Sequence, residues 1–242
     1  MPQSTQVFLT AEWRDLLMLN YEIDPRLLTN HLPSGTVLDS FLGKTYISLV
    51  GFRFCHTKLF GAIAVPFHSD FEEVNLRFYV RRQEGPEAKR GVVFITEIVP
   101  KRVVARVARV AYGENYVCLP MKHHVYTEGL QRTVAYLWRV NHKWCKMTAQ
   151  ASSVGALPPE GSLEQFITEH YWGYSTQRGG RSLEYHVSHA PWQVWSSTTA
   201  RFEGDPTSLY GKELGRILQC RPDSAFIADG SPVVVFKGRK IS

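Results

Sequence analysis

Short stretches in which apolar and polar residues alternate, rich in β-branched and aromatic side chains, recur along the chain. Side chains of a strand point alternately to its two faces, so this pattern predicts strands. The predicted strands cover residues 45–56, 71–82, 91–99, 133–140, 143–151, 183–189, 192–202, 224–228 and 232–236. Asp229 and Gly230 separate the last two and predict a tight turn between them.

Signals that begin a helix occur at fewer places. Asp24 and Asp205 are each followed by a proline, which favours the first helical position. Ser162 is followed three residues later by Gln165, as in a capping box. The valine-rich residues 101–112 lack strict alternation, and their arginines share one helical face, which favours a helix. The sequence predicts helices at 24–31, 101–112, 162–170 and 205–218, and surface loops at 83–89 and 152–162.

Strands outnumber helices, and no regular helical crossover separates consecutive strands. This order predicts a β-dominated α+β protein with antiparallel pairing, curled into a barrel. The 242 residues contain no internal repeat and no obvious interdomain linker, so we expect residues 1–242 to form a single domain.

Composition argues against several classes of protein. No apolar run approaches the ~20 residues of a membrane helix, and the N-terminus lacks the features of a signal peptide, which predicts a cytoplasmic protein without a membrane partner. The four cysteines are scattered, so we expect reduced thiols and no structural zinc. The net charge of +6 comes from basic residues spread along the chain, and without a recognised motif no nucleic-acid partner is predicted.

Residues 71–80, FEEVNLRFYV, have one strand face that is nearly all apolar and a second face that is not. The second face carries Glu73, Asn75 and Arg77 between two aromatic residues. Glu73 and Arg77 lie about 13 Å apart along a strand and cannot easily pair directly. By periodicity alone, a solvent-exposed strand face is favoured. The alternative is the wall of a barrel, where the three polar groups would converge on a polar small molecule.

A second candidate segment, YGENYVCLPMKHH at 112–124, is expected to be irregular or an edge strand because it contains a proline. It carries Glu114, Tyr116 and Lys122. A lysine becomes a nucleophile toward carbonyl groups when burial or a neighbouring cation lowers its pKa. The two adjacent histidines point in opposite directions on an extended segment, so no metal site is predicted there. The alternative is a basic surface loop.

Aromatic residues and histidines are dense over 170–195, a composition that fits either the lining of a ligand pocket or an aromatic core between strands. Other motifs are absent, since the sequence has no GxSxG nucleophile elbow, no Walker loop and no dinucleotide fingerprint. No cofactor is therefore predicted. Motifs alone lead only to a β-rich domain with a candidate polar cavity.

The chain contains, in this order, the segments LNYEIDPRLLTNHLPSGTVLDSFLGKTYISLVGF, FEEVNLRFYV, RGVVFITEIVP and YGENYVCLPMKHH. This order resembles the YqjF-like family, a group of uncharacterised proteins in the acetoacetate decarboxylase-like superfamily. The resemblance covers most of the chain. It implies a curled antiparallel barrel, roughly cone-shaped, with a few flanking helices and a central cavity.

The resemblance also implies a chemistry for this cavity. In the decarboxylase, a lysine attacks the ketone of a β-keto acid and forms a Schiff base. A second lysine beside it keeps the first lysine neutral. The decarboxylase's lysine motif has a glutamate, a short spacer and Pro-Lys-Lys. Glu114 and Pro120 match this pattern, and Lys122 matches its second lysine. Met121 stands where the Schiff-base lysine would be and cannot form an imine. Lys122, as its neighbour on an extended segment, would face the other way.

Two further positions bear on the substrate that the resemblance implies. Glu22 stands where the decarboxylase has an arginine that helps to position the substrate carboxylate, and this exchange would repel such a substrate. Glu73 matches the glutamate of the decarboxylase cavity. The resemblance thus carries over the fold and the cavity but not the decarboxylase activity.

These observations predict a β-barrel cavity for a small organic ligand and, if the protein is an enzyme, action on a carbonyl or carboxylate compound other than as a true acetoacetate decarboxylase. Two alternatives stay open: a non-catalytic binding or sensor module, and a structural protein whose barrel is filled by its own side chains. Whether the protein is an enzyme or a homo-oligomer also stays open. The residues expected at the site are Glu73 as acid–base group, Lys122 as electrophilic or imine-forming group, and the ligand-binding residues Asn75, Arg77, Tyr116 and Glu114.

Overall fold

The computed structural model describes residues 6–64, 68–177 and 179–241 of the chain. The helices are α1 (Arg102–Tyr112), α2 (Leu163–Thr168) and α3 (Thr207–Leu218), together with a 3-10 helix at Pro25–His31. The strands are β1 (Val7–Ile23), β2 (Val37–Leu38), β3 (Thr45–Leu59), β4 (Ile63–Ala64), β5 (Phe71–Glu84), β6 (Glu87–Val99), β7 (Tyr116–Cys118), β8 (Met121–Glu128), β9 (Gln131–Val140), β10 (Lys143–Ser152), β11 (Trp172–Thr176), β12 (Ser182–His189), β13 (Val194–Glu203), β14 (Ser224–Phe236) and β15 (Arg239–Ile241).

The main strands follow one another in a single sheet, in the order β15-β12-β11-β6-β5-β3-β1-β14-β13-β10-β9-β8. β12 also pairs with β14 over residues 187–189, so the sheet curls round on itself between these strands as a ring. β13, β10, β9 and β8 continue beyond β14, and we call them the outer wing. Among the strands that the structure describes, only the short pairings of β6 with β7 and with β11 are parallel. The predicted β-dominated, curled antiparallel architecture is confirmed, as a curled sheet rather than a regular barrel.

β5 lies in the ring and is buried on both faces over most of its length. On one face, Val74, Leu76 and Phe78 join a core cluster with residues of the outer wing, including Tyr136 and Met147. The opposite face carries the Glu-Asn-Arg series, and these three side chains are 2%, 2% and 9% exposed. The interpretation of this face as an ordinary solvent-exposed surface is therefore wrong.

β1 is the longest strand, and the alternation pattern did not predict it. Its chain bends at Asp15, whose φ is 55°, and the pairing with β3 shifts register between Arg14 and Leu17. This irregularity interrupts the period of two on which the prediction depends. In addition, residues 15–21 are buried on both faces, so they form a nearly continuous apolar run.

The predicted turn at Asp229 and Gly230 is wrong, because β14 runs through both residues as one strand. Gly230 pairs with Arg14 of β1 and has a φ of 82°, which favours glycine. A Cβ atom there would lie 2.0 Å from the backbone oxygen of Trp13. The glycine thus serves a close approach of two strands rather than a chain reversal.

The helix predicted at 101–112 is confirmed as α1, and that at 205–218 as α3, which is kinked at Gly211. The helix predicted at 162–170 is limited to α2, and that at 24–31 is a 3-10 helix. The predicted loop at 83–89 is instead a tight hairpin, since only two residues separate the end of β5 from the start of β6. No helix in the described part of the chain is long and apolar enough to cross a membrane.

Candidate functional site

Three neighbouring strands bring polar side chains to the same level of the ring interior. Asn75 of β5 pairs with Glu97 of β6, and Glu97 pairs in turn with Tyr116 of β7. Residues paired across strands point to the same face, so the three side chains project together. Asn75 Nδ2 donates to Glu73 Oε1 at 3.0 Å, and Tyr116 Oη donates to Glu73 Oε2 at 3.2 Å. The Glu73 carboxyl is thereby held at both oxygens.

Glu114 adds a third carboxyl group. α1 ends at Tyr112, the following Gly113 turns the chain with its left-handed φ of 68°, and Glu114 comes next. Tyr185 Oη of β12 donates to Glu114 Oε1 at 2.5 Å. Glu73, Glu97 and Glu114 are 2%, 1% and 8% exposed, and we call these three residues the carboxyl cluster.

The carboxyl cluster retains protons near neutral pH. Burial is the main cause, because a low-dielectric interior disfavours the charged form of a carboxyl group. It raises the pKa of Glu73 to about 7 and the pKa of Glu114 to about 8. Burial, followed by the charges of Glu114 and Glu73, raises the pKa of Glu97 well above its usual range. A carboxyl group that keeps its proton can donate a hydrogen bond, which a carboxylate cannot.

Arg77 lies on the same face of β5, two residues beyond Asn75. Its charge lowers the pKa of Glu73, but less strongly than burial raises it. Arg77 Nη2 donates to the backbone oxygen of Ile167 at 3.3 Å. Within the described residues, Arg77 Nε, Asn75 Oδ1 and Glu97 Oε2 are buried without hydrogen-bond partners. Such atoms are rare in folded proteins and mark candidate contacts of a ligand.

A pocket of about 190 Å³ adjoins the carboxyl cluster. It is polar where the cluster, Asn75, Arg77 and Tyr116 line it. Elsewhere its lining is mostly apolar and comes from β1, β3, β6, α1 and β12. The large apolar contributors are Phe8, Trp13, Phe52, Phe54, Phe71, Phe94, Trp172 and Trp192, and α1 adds Val103, Val104, Val107 and Ala108.

Two histidines of the aromatic region 170–195, His170 and His189, also line the pocket. Burial lowers the pKa of both to about 4. The His189 ring stacks on Trp192 with 4.3 Å between ring centroids. Both interpretations of this region therefore apply, because its aromatic side chains pack against each other and also border the pocket.

The structure brings five of the six predicted site residues to one pocket. Lys122 is the exception. It lies exposed on β8, at the far edge of the outer wing, with its Nζ 5.3 Å from the ring centroid of Trp144. Its neighbour Met121 packs against the core of the wing. Neither residue borders the pocket, so the arrangement that would join Lys122 to Glu73 is not present.

Sequence reasoning missed Glu97, Tyr185 and the particular place of His170. Glu97 could have been found, because it is the only ionisable side chain within GVVFITEIV, a strand whose other residues are those of a buried core. Tyr185 carried no such signal, since its role depends on the ring that brings β12 close to the end of α1. In the part of the chain that the structure describes, no group of three or more His, Cys, Asp and Glu residues is arranged to hold a metal ion.

Known proteins resemble the chain in sequence. The profile of the DUF2071 family, described as an uncharacterized conserved protein, matches residues 10–232. The uncharacterized protein YqjF of Bacillus subtilis is 26% identical over 201 residues, which are 82% of this chain and 80% of that protein.

Solved structures resemble the chain in fold. Acetoacetate decarboxylase of Legionella pneumophila aligns with a TM-score of 0.68 and 12% identity over 100% of this chain and 90% of its own. The enduracididine biosynthesis enzyme MppR complexed with pyruvate aligns with a TM-score of 0.68 and 12% identity over 98% of this chain and 91% of its own. An acetoacetate decarboxylase-like enzyme of Sphingomonas wittichii aligns with a TM-score of 0.67 and 10% identity over 97% of this chain and 93% of its own. At these identities the likeness concerns the fold alone. With its acetoacetate decarboxylase-like fold and its YqjF-like sequence, the chain belongs to the DUF2071 family.

Proposed function

We propose that the pocket binds a small, largely apolar carbonyl compound and that the carboxyl cluster acts on its carbonyl group by acid–base chemistry. The observation that carries this proposal is the presence of three buried, proton-retaining carboxyl groups at one side of an otherwise apolar pocket. The nucleophilic lysine chemistry of a decarboxylase is not part of it.

The choice of a carbonyl group follows from the donors that face the pocket. A carboxylic acid kept neutral by an apolar site can donate a hydrogen bond to a carbonyl oxygen and stabilise negative charge that develops there. Tyr116 and Tyr185 donate their phenolic protons to Glu73 and Glu114, and burial raises the pKa of both hydroxyls well above the usual range, so both phenols stay protonated and hold these carboxyl groups in place. Two structural relatives are named as acetoacetate decarboxylase and as an enzyme complexed with pyruvate, and both names refer to carbonyl compounds.

The apolar body of the ligand follows from the rest of the lining. Aromatic and valine side chains of β1, β3 and α1 surround most of the pocket, and burying apolar surface against them contributes about 25 cal/mol per Å². Arg77 is the cation nearest to the carboxyl cluster along β5, and its unpartnered Nε offers one further donor. A compound with one polar end and a compact apolar body fits a pocket that is polar at the carboxyl cluster and apolar elsewhere.

An imine mechanism receives no support from the residues that line the pocket. Among the described lining residues none is a lysine, and Lys122 is exposed on the outer wing. This same feature supports a second candidate function, a non-catalytic binding protein that uses the same pocket. The two candidates share the ligand and differ only in whether it is converted.

The proposal is tested with a matched pair of probes, phenylacetone and propylbenzene, which differ by one carbonyl oxygen. We expect phenylacetone to bind at pH 6 at least about tenfold more tightly, because the oxygen gains a hydrogen bond worth about 1.4 kcal/mol. Isothermal titration calorimetry measures both affinities, and thermal denaturation checks that binding stabilises the folded state. Equal affinities, or binding of neither probe, would show that the pocket does not select a carbonyl group.

A further inference from the structure

We propose that His170 is the proton acceptor of this pocket, so that the reaction catalysed is enolisation, the removal of a proton from the carbon next to the carbonyl group. The inference rests on the proposed function, since it presupposes a carbonyl compound bound at the carboxyl cluster. It adds a catalytic residue and a reaction class to that proposal.

The imidazole of His170 is enclosed but borders the pocket. The residue follows α2, and its side chain is 1% exposed. The ring lies between two aromatic side chains, with its centroid 4.7 Å from that of Tyr79 and 5.1 Å from that of Phe166. These contacts fix the ring without occupying its nitrogens.

The carboxylate of Asp39 lies next to Nε2 of the His170 imidazole and orients the ring. His170 Nε2 lies 3.5 Å from Asp39 Oδ2, which is longer than a well-formed hydrogen bond but close enough for electrostatic attraction. Arg90 Nε donates to the same Asp39 oxygen at 2.7 Å and holds the carboxylate in place. A proton on Nε2 therefore faces a negative charge, and Nδ1 keeps its lone pair. Nδ1 has no hydrogen-bond partner among the residues that the structure describes.

β5 connects the carboxyl cluster to the surroundings of His170. Asn75 contacts the carboxyl cluster at one position, and Tyr79, four residues further along the same face, contacts the His170 ring. Four residues of a strand span about 13 Å. Arg77 lies between the two ends. The carboxyl groups and the imidazole nevertheless line one pocket, so both border the space in which a ligand would lie.

The usual order of proton affinities is reversed in this pocket. Burial, opposed by Asp39 and reinforced by the charges of Arg90 and Arg77, lowers the pKa of His170 to about 4. The pKa values of Glu73 and Glu114 are about 7 and about 8. Between pH 5 and pH 7 the imidazole is therefore neutral while these carboxyl groups hold protons. The pocket thus offers a proton acceptor together with proton donors, the two kinds of group that acid–base catalysis requires.

The proposed step balances without a further reactant. The bond between the α-carbon and its hydrogen breaks, and the proton passes to His170 Nδ1. The electron pair of that bond forms the carbon–carbon double bond of the enol. The carbonyl oxygen takes a proton from the carboxyl cluster, and the reverse step returns the ketone. In deuterium oxide, repeated turnover replaces the α-hydrogens of the ketone by deuterium.

The test uses phenylacetone in deuterium oxide near neutral pH, with loss of its α-hydrogen signals followed by proton NMR. The wild-type chain is expected to accelerate exchange, and His170→Gln to reduce that acceleration by about 100-fold or more, the usual contribution of a general base. Binding of phenylacetone to His170→Gln should stay within about threefold, because glutamine removes the base and not the carboxyl donors. His186→Gln is the matched control, because His186 does not border this pocket and should leave exchange unchanged.

His170→Ala provides the second variant, since it leaves a space that added imidazole can enter. Rescue of exchange by imidazole identifies the missing group as the base and shows that the variant is folded. Binding of phenylacetone without exchange by the wild type, or exchange that survives in His170→Gln, overturns the inference while the proposed function stands. Failure of the wild type to prefer phenylacetone over propylbenzene instead removes the proposed function itself.

Discussion

Between pH 5 and pH 9 the wild-type chain is expected to lose about 4 kcal/mol of stability that the variant Glu114→Gln retains. The reason is the raised pKa of this carboxyl group, about 8 in the folded chain against the ordinary 4.5 of a glutamate. The folded state holds the Glu114 proton more tightly than the unfolded state does. Its stability contribution is therefore fully present below the unfolded pKa, and it is lost as the pH rises through that of the folded state. Glutamine is a neutral analogue of the protonated acid and cannot ionise.

Urea denaturation of both chains at pH 5, 7 and 9 measures this difference directly. Glu87→Gln is the matched control, because Glu87 lies exposed at the start of β6, the strand that also carries Glu97, and does not belong to the carboxyl cluster. We expect its pH dependence to follow that of the wild type. Parallel stability curves for the wild type and Glu114→Gln would show that folding does not raise the pKa of Glu114.

The variant Ala108→Phe is expected to weaken the binding of phenylacetone by at least about 100-fold, which corresponds to about 2.7 kcal/mol. Ala108 is half-buried on α1 and borders the pocket. A phenyl ring at this position would fill the apolar part of the pocket and take the place of the ligand body. The free energy of unfolding should change by no more than about 1 kcal/mol, because the new ring enters existing space.

Calorimetric titration of the variant with phenylacetone measures the loss of binding. Val110→Phe serves as its control, since Val110 lies two residues further along α1 and is 81% exposed. This control should bind as the wild type does. Undiminished binding to Ala108→Phe would place the ligand elsewhere on the molecule and remove the pocket from the account.

The sequence was informative about the site wherever a single strand decided the geometry. That Glu73, Asn75 and Arg77 share one face follows from the period of two along β5. Whether that face is solvent-exposed or buried depends on how the whole sheet curls. Periodicity alone favoured the wrong answer, and the family resemblance favoured the right one. Glu97 shows the complementary case, because a carboxyl group in an apolar strand was visible but its partners on β5 and β7 were not.

Other features depend on contacts that no local pattern encodes. The bulge at Asp15 lies in the pairing of β1 with β3, and the left-handed Gly230 faces Arg14 across β14 and β1, so each depends on a neighbouring strand. Lys122 was selected because it follows a proline in a lysine motif, yet β8 extends to the edge of the outer wing and carries it away from the carboxyl cluster. His170 was one of several histidines in an aromatic segment, and only the approach of Asp39 distinguishes it.

The central claim is that protonated carboxyl groups hold the carbonyl group of a ligand in the pocket. The most direct test is the infrared carbonyl stretch of bound phenylacetone, labelled with carbon-13 at the carbonyl, at pH 6 and pH 10. At pH 6 we expect the band of the bound ketone at lower frequency than in hexane, because strong donors polarise the carbonyl group. At pH 10 we expect the ketone to be released or the band to return toward its hexane position as the carboxyl groups ionise. A bound ketone with a hexane-like band at both pH values would contradict the account.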